Sequence, residues 1–226
     1  VIGRSCLTPL ISVRGGVAGD FTITMLNDDE YMMIGSGLGE RYHQRFFNMV
    51  DMPQGTTLEV ATNRIVGFNI ASPKARDALQ RLTNADLSNE AFRFMRSQRI
   101  QVAGMDCIAL RVSFTGDLGW ELHCDEGDQV ALYSALIDAA QELGGGPVGG
   151  RALGALRIEK GYGSWSREYS QEYWPQEVGL EGLIKLDKEF LHREAFLGIK
   201  DNAPREVLTT FEMEVTKDAD ATGGEP

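Results

Sequence analysis

Several short stretches of this chain set reactive side chains in patterned surroundings. Asp20 stands just beyond the paired glycines Gly15-Gly16 and just ahead of a strand rich in β-branched residues. A carboxylate after a turn commonly caps backbone amides; the alternative is a negative charge delivered to a site. Phe114-Thr115-Gly116-Asp117-Leu118-Gly119-Trp120-Glu121 reads as a tight hairpin entering a strand. Alternation then puts Leu118, Trp120 and Leu122 on one face and Glu121 with His123 on the other. Glu121 is either a solvated strand carboxylate or an acid that grips a ligand. Arg151, Arg157, Lys160 and Arg167 fall within 17 residues, interleaved with Tyr162 and Trp165. Surface ion pairs account for most such clusters. The other reading is an anion-binding wall, since the guanidinium fork suits a carboxylate.

Other chemistries fit poorly. Gly35-Ser36-Gly37-Leu38-Gly39 invites a dinucleotide fingerprint, but the third glycine of G-x-G-x-x-G would fall at Glu40. The flanking strands also read as antiparallel, so a turn of small residues is the better interpretation. Cys6, Cys107 and Cys124 are far apart and form no C-x-x-C pair, which indicates neither a disulfide framework nor a zinc site. His123 and Cys124 are strand neighbours that point to opposite faces, so no metal site is expected. A net charge of −11 and a pI of 4.8 argue against nucleic acid and anionic membranes as partners. They leave room for a small anion in a locally basic pocket. No run of apolar residues is long enough to cross a bilayer, and no signal-peptide pattern opens the chain.

These residues need a scaffold of mixed type. Arg14-Gly15-Gly16 predicts a hairpin turn, followed by strands over Phe21–Leu26 and Tyr31–Ile34. A helical period runs from about Leu38 to Val50, with Tyr42, Phe46 and Val50 on one face. Strands are then expected at Leu58–Ala61 and Arg64–Ala71, with Ser72-Pro73 capping a helix that reaches Leu82. Three further strands follow at Gln98–Ala103, Cys107–Phe114 and Leu118–Cys124. A helix from about Asp128 to Leu143 stops at Gly144-Gly145-Gly146, and another spans roughly Arg151 to Lys160. Strand–helix–strand–strand with short hairpins is the order of a ferredoxin-like unit. The two ends read as cut from a longer polypeptide, although residues 218–226 suit an ordinary C-terminal tail equally well.

Four of these stretches, in this order and covering most of the chain, resemble the aminomethyltransferase family (the glycine-cleavage T-protein and its relatives). They are Gly15-Gly16-Val17-Ala18-Gly19-Asp20, Phe114 to Glu121, Leu156-Arg157-Ile158-Glu159-Lys160-Gly161, and Glu177-Val178-Gly179-Leu180 with Lys185-Leu186-Asp187-Lys188. Gly163-Ser164-Trp165-Ser166-Arg167-Glu168-Tyr169 and details of the first two are most similar to dimethylglycine and sarcosine dehydrogenases. The resemblance implies an α+β fold: antiparallel sheets with ferredoxin-like units packed by helices, lacking the family's C-terminal β-barrel. It implies part of a first folate-binding subdomain over 1–57, a ferredoxin-like folate-binding subdomain over 58–205, and the start of a truncated segment over 206–226.

Tetrahydrofolate is the cofactor so implied, with a flavin (FAD) confined to a preceding domain absent from this chain. The partners would be a small-molecule folate and a one-carbon donor, with a fused or associated flavin domain that oxidises amines, and no nucleic acid or membrane. The setting would be cytoplasmic, or the mitochondrial matrix in a eukaryote. Asp20 matches the family's catalytic aspartate beside N10 of tetrahydrofolate, and Glu121 its pterin-binding glutamate. Phe114 stands where relatives often place tyrosine. Leu153 occupies the position of a family arginine that contacts the folate tail, leaving Arg151 or Arg157 as substitutes. Ser36 falls near a family asparagine, and Trp165 completes the expected folate-binding set. The implied reaction is one-carbon transfer to tetrahydrofolate during demethylation of an N-methylated glycine, giving 5,10-methylenetetrahydrofolate. Rival readings are an aminomethyltransferase fed by a lipoyl carrier, a folate-dependent demethylase, and a folate-binding module without catalysis.

Overall fold

A computed structural model of the chain describes residues 1–212; the expectations for the remaining residues, including most of 206–226, lie outside the described part. Its first layer is an antiparallel sheet of β1 (Ser5–Ile11), β2 (Val17–Met25) and β3 (Tyr31–Ile34), in that spatial order. The expected glycine hairpin joins β1 to β2. Ser12 Oγ accepts the amides of Arg14 and Gly16, and Gly15 sits at φ +82°, a conformation that glycine adopts without strain. A bulge at Leu10/Ile11 shifts the register just before this turn, and Asp20 then lies opposite Pro9.

The second sheet has the order β4-β7-β6-β5, from β4 (Ile65–Ala71), β5 (Ser97–Val102), β6 (Met105–Leu110) and β7 (Gly119–Asp125). Every neighbour in it is antiparallel. The helix α2 (Ala75–Gln80) follows β4, so the predicted strand–helix–strand–strand order is present. With α3 (Gln129–Gln141) it covers one face, where Leu79, Leu132 and Leu136 pack against Trp120 and Leu122 in the larger core. The glycine stop after α3 is a Schellman motif. Gly144 is left-handed at φ +81°, its amide reaches Gln141 O, and the Gly145 amide reaches Ala140 O.

Several boundaries differ from expectation: β2 begins at Val17 rather than Phe21, α2 runs over Ala75–Gln80 rather than from Pro73 to Leu82, and three more have a readable cause. Residues 58–61 form no strand, because Leu58 and Val60 are exposed and no neighbouring strand among the described residues supplies hydrogen bonds. The helix α1 (Glu40–Asn48) begins two residues late, after a 3₁₀ turn at Gly37–Gly39. Strand β6 stops at Leu110 rather than Phe114: the Arg111 amide still reaches Arg96 O, but the Arg96 amide turns to Arg93 O and that of Val112 to Leu110 O.

The helix α4 (Gly150–Glu159) is followed by a loop-rich return across the first sheet. There Val17, Trp165, Tyr169, Val178 and Leu180 make a second core with Tyr42 and Tyr173, and the Val17 amide bonds Tyr173 O. The two sheets meet where Ser5 N bonds Met95 O and Ser97 N bonds Gly3 O. The short helix α5 (Arg193–Leu197) closes the described elements, among which no helix is long and apolar enough to cross a membrane.

Candidate functional site

Asp20 is half-buried on β2. Burial pushes its carboxyl above the ordinary value of 3.8, partly opposed by a hydrogen bond from its own amide. The returning segment 164–169 packs on Val17 of the same strand. Tyr169 is close enough that, after burial, the charge of Asp20 helps raise its phenol. Trp165 stacks on Tyr42 with ring centroids 5.6 Å apart and planes 21° from parallel. His43, buried on α1, points Nε2 at Ala18 O over 3.1 Å and meets the Phe21 ring edge-on at 4.7 Å. Burial lowers its pKa, so it is neutral at pH 7 and Nε2–H donates to that carbonyl. The strand carrying Asp20 is thereby pinned two residues upstream. Ser36 opens the turn that ends at Gly39, where a side chain would collide with His43 and Trp165.

Glu121 lies on the second sheet, opposite Asn69 of β4 and Leu110 of β6. The predicted alternation holds: Trp120 and Leu122 are fully buried beneath the helices, while Glu121 and His123 share the other face. Glu121 Oε2 is 3.7 Å from His123 Nε2, and the two side chains are 21% and 12% exposed. No donor lies within hydrogen-bond distance of this carboxylate among the described residues. Phe114 is on the turn before β7, partly exposed. That turn rests on α4, since a side chain at Gly116 would strike the Lys160 stem.

The basic stretch divides. Arg157 is 4% exposed, and both of its Nη groups are engaged within the protein. Its Nη1 and Nη2 donate to the two Glu168 oxygens at 2.8 and 3.1 Å, and Nη1 also reaches Tyr162 O. Burial alone would raise the Glu168 carboxyl, but the hydrogen bonds and charge of Arg157 win and hold it low. The pair braces segment 162–169. Arg151, at the exposed start of α4, has no ion-pair partner among the described residues. Trp165 is nearly buried, stacked on Tyr42 and packed in the second core with Val17 of β2.

Two hollows open beside the second sheet. One of about 440 Å³ is lined by Arg64, Arg99, Asp106, His123 and Asp125 among others; one of about 470 Å³ is lined by Gln80, Arg81, Thr83 and Arg99 among others. Neither has Asp20 or Glu121 in its lining. Sequence reasoning missed His43 and Tyr169; the only signal for them was the aromatic density of α1 and of residues 162–173.

A family model described as the GCVT N-terminal domain matches residues 1–188. Mitochondrial dimethylglycine dehydrogenase of Homo sapiens is 32% identical over 99% of this chain and 26% of its own length. An aminomethyltransferase of a Thermoanaerobacter species is 27% identical, covering 91% of this chain and 56% of that protein. The crystal structure of glycine cleavage system aminomethyltransferase T from Bartonella henselae superposes with a TM-score of 0.75 at 21% identity, over 90% of this chain and 55% of that one. At that identity the likeness shows the fold alone. The chain thus spans about a quarter of the first relative's length and about half of the other two.

Proposed function

The chain belongs to the GCVT N-terminal domain family, and from that membership we propose that it binds tetrahydrofolate and takes part in one-carbon transfer. The observation that carries the reading is Asp20: a carboxylate half-buried on the strand whose Val17 packs with Trp165 and Tyr169, with its pKa raised by that burial. Tetrahydrofolate, when bound, supplies the nitrogen nucleophile that takes up the one-carbon unit. The protein's part is electrostatic and positional. Ionised Asp20, in a partly dry setting, stabilises positive charge that develops near it far better than water would. A carboxyl with a raised pKa is also better matched to accepting and returning a proton.

Glu121 fits the pterin. Its carboxylate has free acceptor sites and can receive two parallel N–H donors, which a flat aminopyrimidinone edge presents. Arg151, exposed and unpaired among the described residues, suits the carboxylates of the folate tail. Phe114, Ser36 and Trp165 are proposed as walls. We assign 1–57 and 58–205 as the two parts that contribute to the site.

The donor proposed is the N-methyl group of dimethylglycine or sarcosine, oxidised by a flavin domain outside this chain and captured as 5,10-methylenetetrahydrofolate. The 32% identity to dimethylglycine dehydrogenase supports it. Similarity to aminomethyltransferases supports a second reading, in which a carrier protein delivers an aminomethyl group. Calorimetric titration with tetrahydrofolate tests the common core. Binding that Glu121→Ala weakens at least tenfold is expected, and unchanged binding by that variant refutes the assignment. Formaldehyde and a carrier-linked aminomethyl donor, offered in turn, separate the two readings.

A further inference from the structure

Glu121 and His123 are two residues apart on β7 and occupy the sheet face opposite the α2 and α3 layer. The place of the imidazole is built across the sheet. His123 pairs with Gly67 of β4, where a Cβ would stand only 3.1 Å from ring atoms Cε1 and Nδ1. Glycine therefore leaves the floor on which the ring lies. The outer nitrogen Nε2 is buried and makes no hydrogen bond among the described residues, an arrangement that folded proteins rarely tolerate without a use. What it faces is Glu121 Oε2, 3.7 Å away.

The charged groups around this ring have other roles. Arg64 and Arg99, which line the adjoining hollow with Asp106 and Asp125, pair with Glu59 and Glu30. No lysine or arginine pairs with Glu121 among the described residues. Their 3.7 Å separation exceeds hydrogen-bond length, about 2.8 Å, by less than an ångström.

We infer that His123 is a positioning residue for Glu121: its Nε2–H holds one carboxylate oxygen and fixes the plane in which the other acceptor sites meet a ligand. The inference rests on the pterin-binding role proposed for Glu121. It assigns His123 no contact with folate and no part in the chemistry. A pair fixed in this way spares the ligand the cost of ordering a free carboxylate.

The test uses the 226-residue chain, tetrahydrofolate as the probe, and a double-mutant cycle. His123→Leu is expected to weaken binding about tenfold, the loss typical of one hydrogen bond to a charged group. His123→Gln, which keeps an N–H donor, should recover most of it. In the Glu121→Ala background His123→Leu should cost nothing further, whereas a merely structural role would add its full effect. Wild-type affinity in His123→Leu, with affinity lost in Glu121→Ala, overturns the inference and leaves the folate reading standing. If Glu121→Ala binds as wild type, the pterin assignment fails instead, and ¹⁵N and ¹H NMR of the His123 ring decides the pairing without ligand. The Nε2–H resonance should be protected from solvent exchange in wild type and lose that protection in Glu121→Ala. An Nε2–H equally exchangeable in both overturns the pairing.

Discussion

Glu177 gives the sharpest quantitative test of this structure. It is 1% exposed, yet it is ionised, because four donors converge on its carboxylate. The Arg205 amide and Nε donate to Oε1 at 2.9 and 2.7 Å, while Arg205 Nη2 and the Trp174 amide donate to Oε2 at 2.6 and 2.7 Å. The Arg205 guanidinium also lies 4.4 Å above the Trp174 ring. Chiefly through the Arg205 hydrogen bonds, the carboxyl is pulled from an ordinary 4.5 to about 2. At about 1.36 kcal/mol per pH unit, that drop corresponds to roughly 3 kcal/mol of stability. Arg205 is half exposed, so solvent screening reduces the figure to between about 1.5 and 3 kcal/mol. A depressed folded-state pKa contributes stability that is fully present above 4.5 and is lost as pH falls toward 2. Glu177→Gln keeps one acceptor and turns an NH₂ group against donors. Urea unfolding of wild type and variant, run side by side from pH 7 to pH 2, isolates this one group. The stability gap should be at least about 1.5 kcal/mol at pH 7 and narrow between about pH 4.5 and 2. A gap under about 0.5 kcal/mol, or one independent of pH, would refute the assignment of the carboxylate's low pKa to these bonds.

Asp20→Asn should abolish folate-coupled transfer while leaving the protein as stable as wild type, or more so, at pH 7. The raised pKa means that ionised Asp20 costs folding free energy at neutral pH, so the variant's advantage should fade as pH drops and vanish below 3.8; a destabilised variant at pH 7 would contradict the burial argument. Arg157→Met leaves Glu168 with its buried partner gone, and should cost about 3–5 kcal/mol in thermal or urea unfolding. Adding Glu168→Gln to that variant should recover part of the loss, and simple additivity would count against the brace. Leu132→Ala, at a fully buried position of α3, should cost about 2–5 kcal/mol without altering tetrahydrofolate affinity.

Much of this fold is written in local pattern. The glycine pair at 15–16, the alternation of residues 118–124 and the glycine stop after α3 are short-range devices, and each acts where it was expected. Residues 58–61 failed because strand propensity needs a neighbour, and only the tertiary structure decides whether one is there. The burial of Arg157 was illegible for a related reason. A run of basic residues looks the same whether its members face water or a carboxylate eleven positions onward, and here Glu168 takes one of them out of solvent. The loop between them gives no period from which to read that meeting.

The same loop explains why the character of Asp20 was only half legible. Its position beyond a turn is local, but its surroundings are not, because Tyr169, nearly 150 residues later, lies close enough to feel its charge. Arg157 holds Glu168, Glu168 accepts the Ser164 amide, and residues 164–169 carry the Trp165 and Tyr169 rings to the first sheet. A cation that reads as a ligand contact thus braces the segment that packs on the strand carrying the acid. Removing it should unsettle Asp20 without touching it, which is why the stability of Arg157 variants and the titration of Asp20 belong to one argument. If the two proved independent, the second core would not be what keeps water from Asp20.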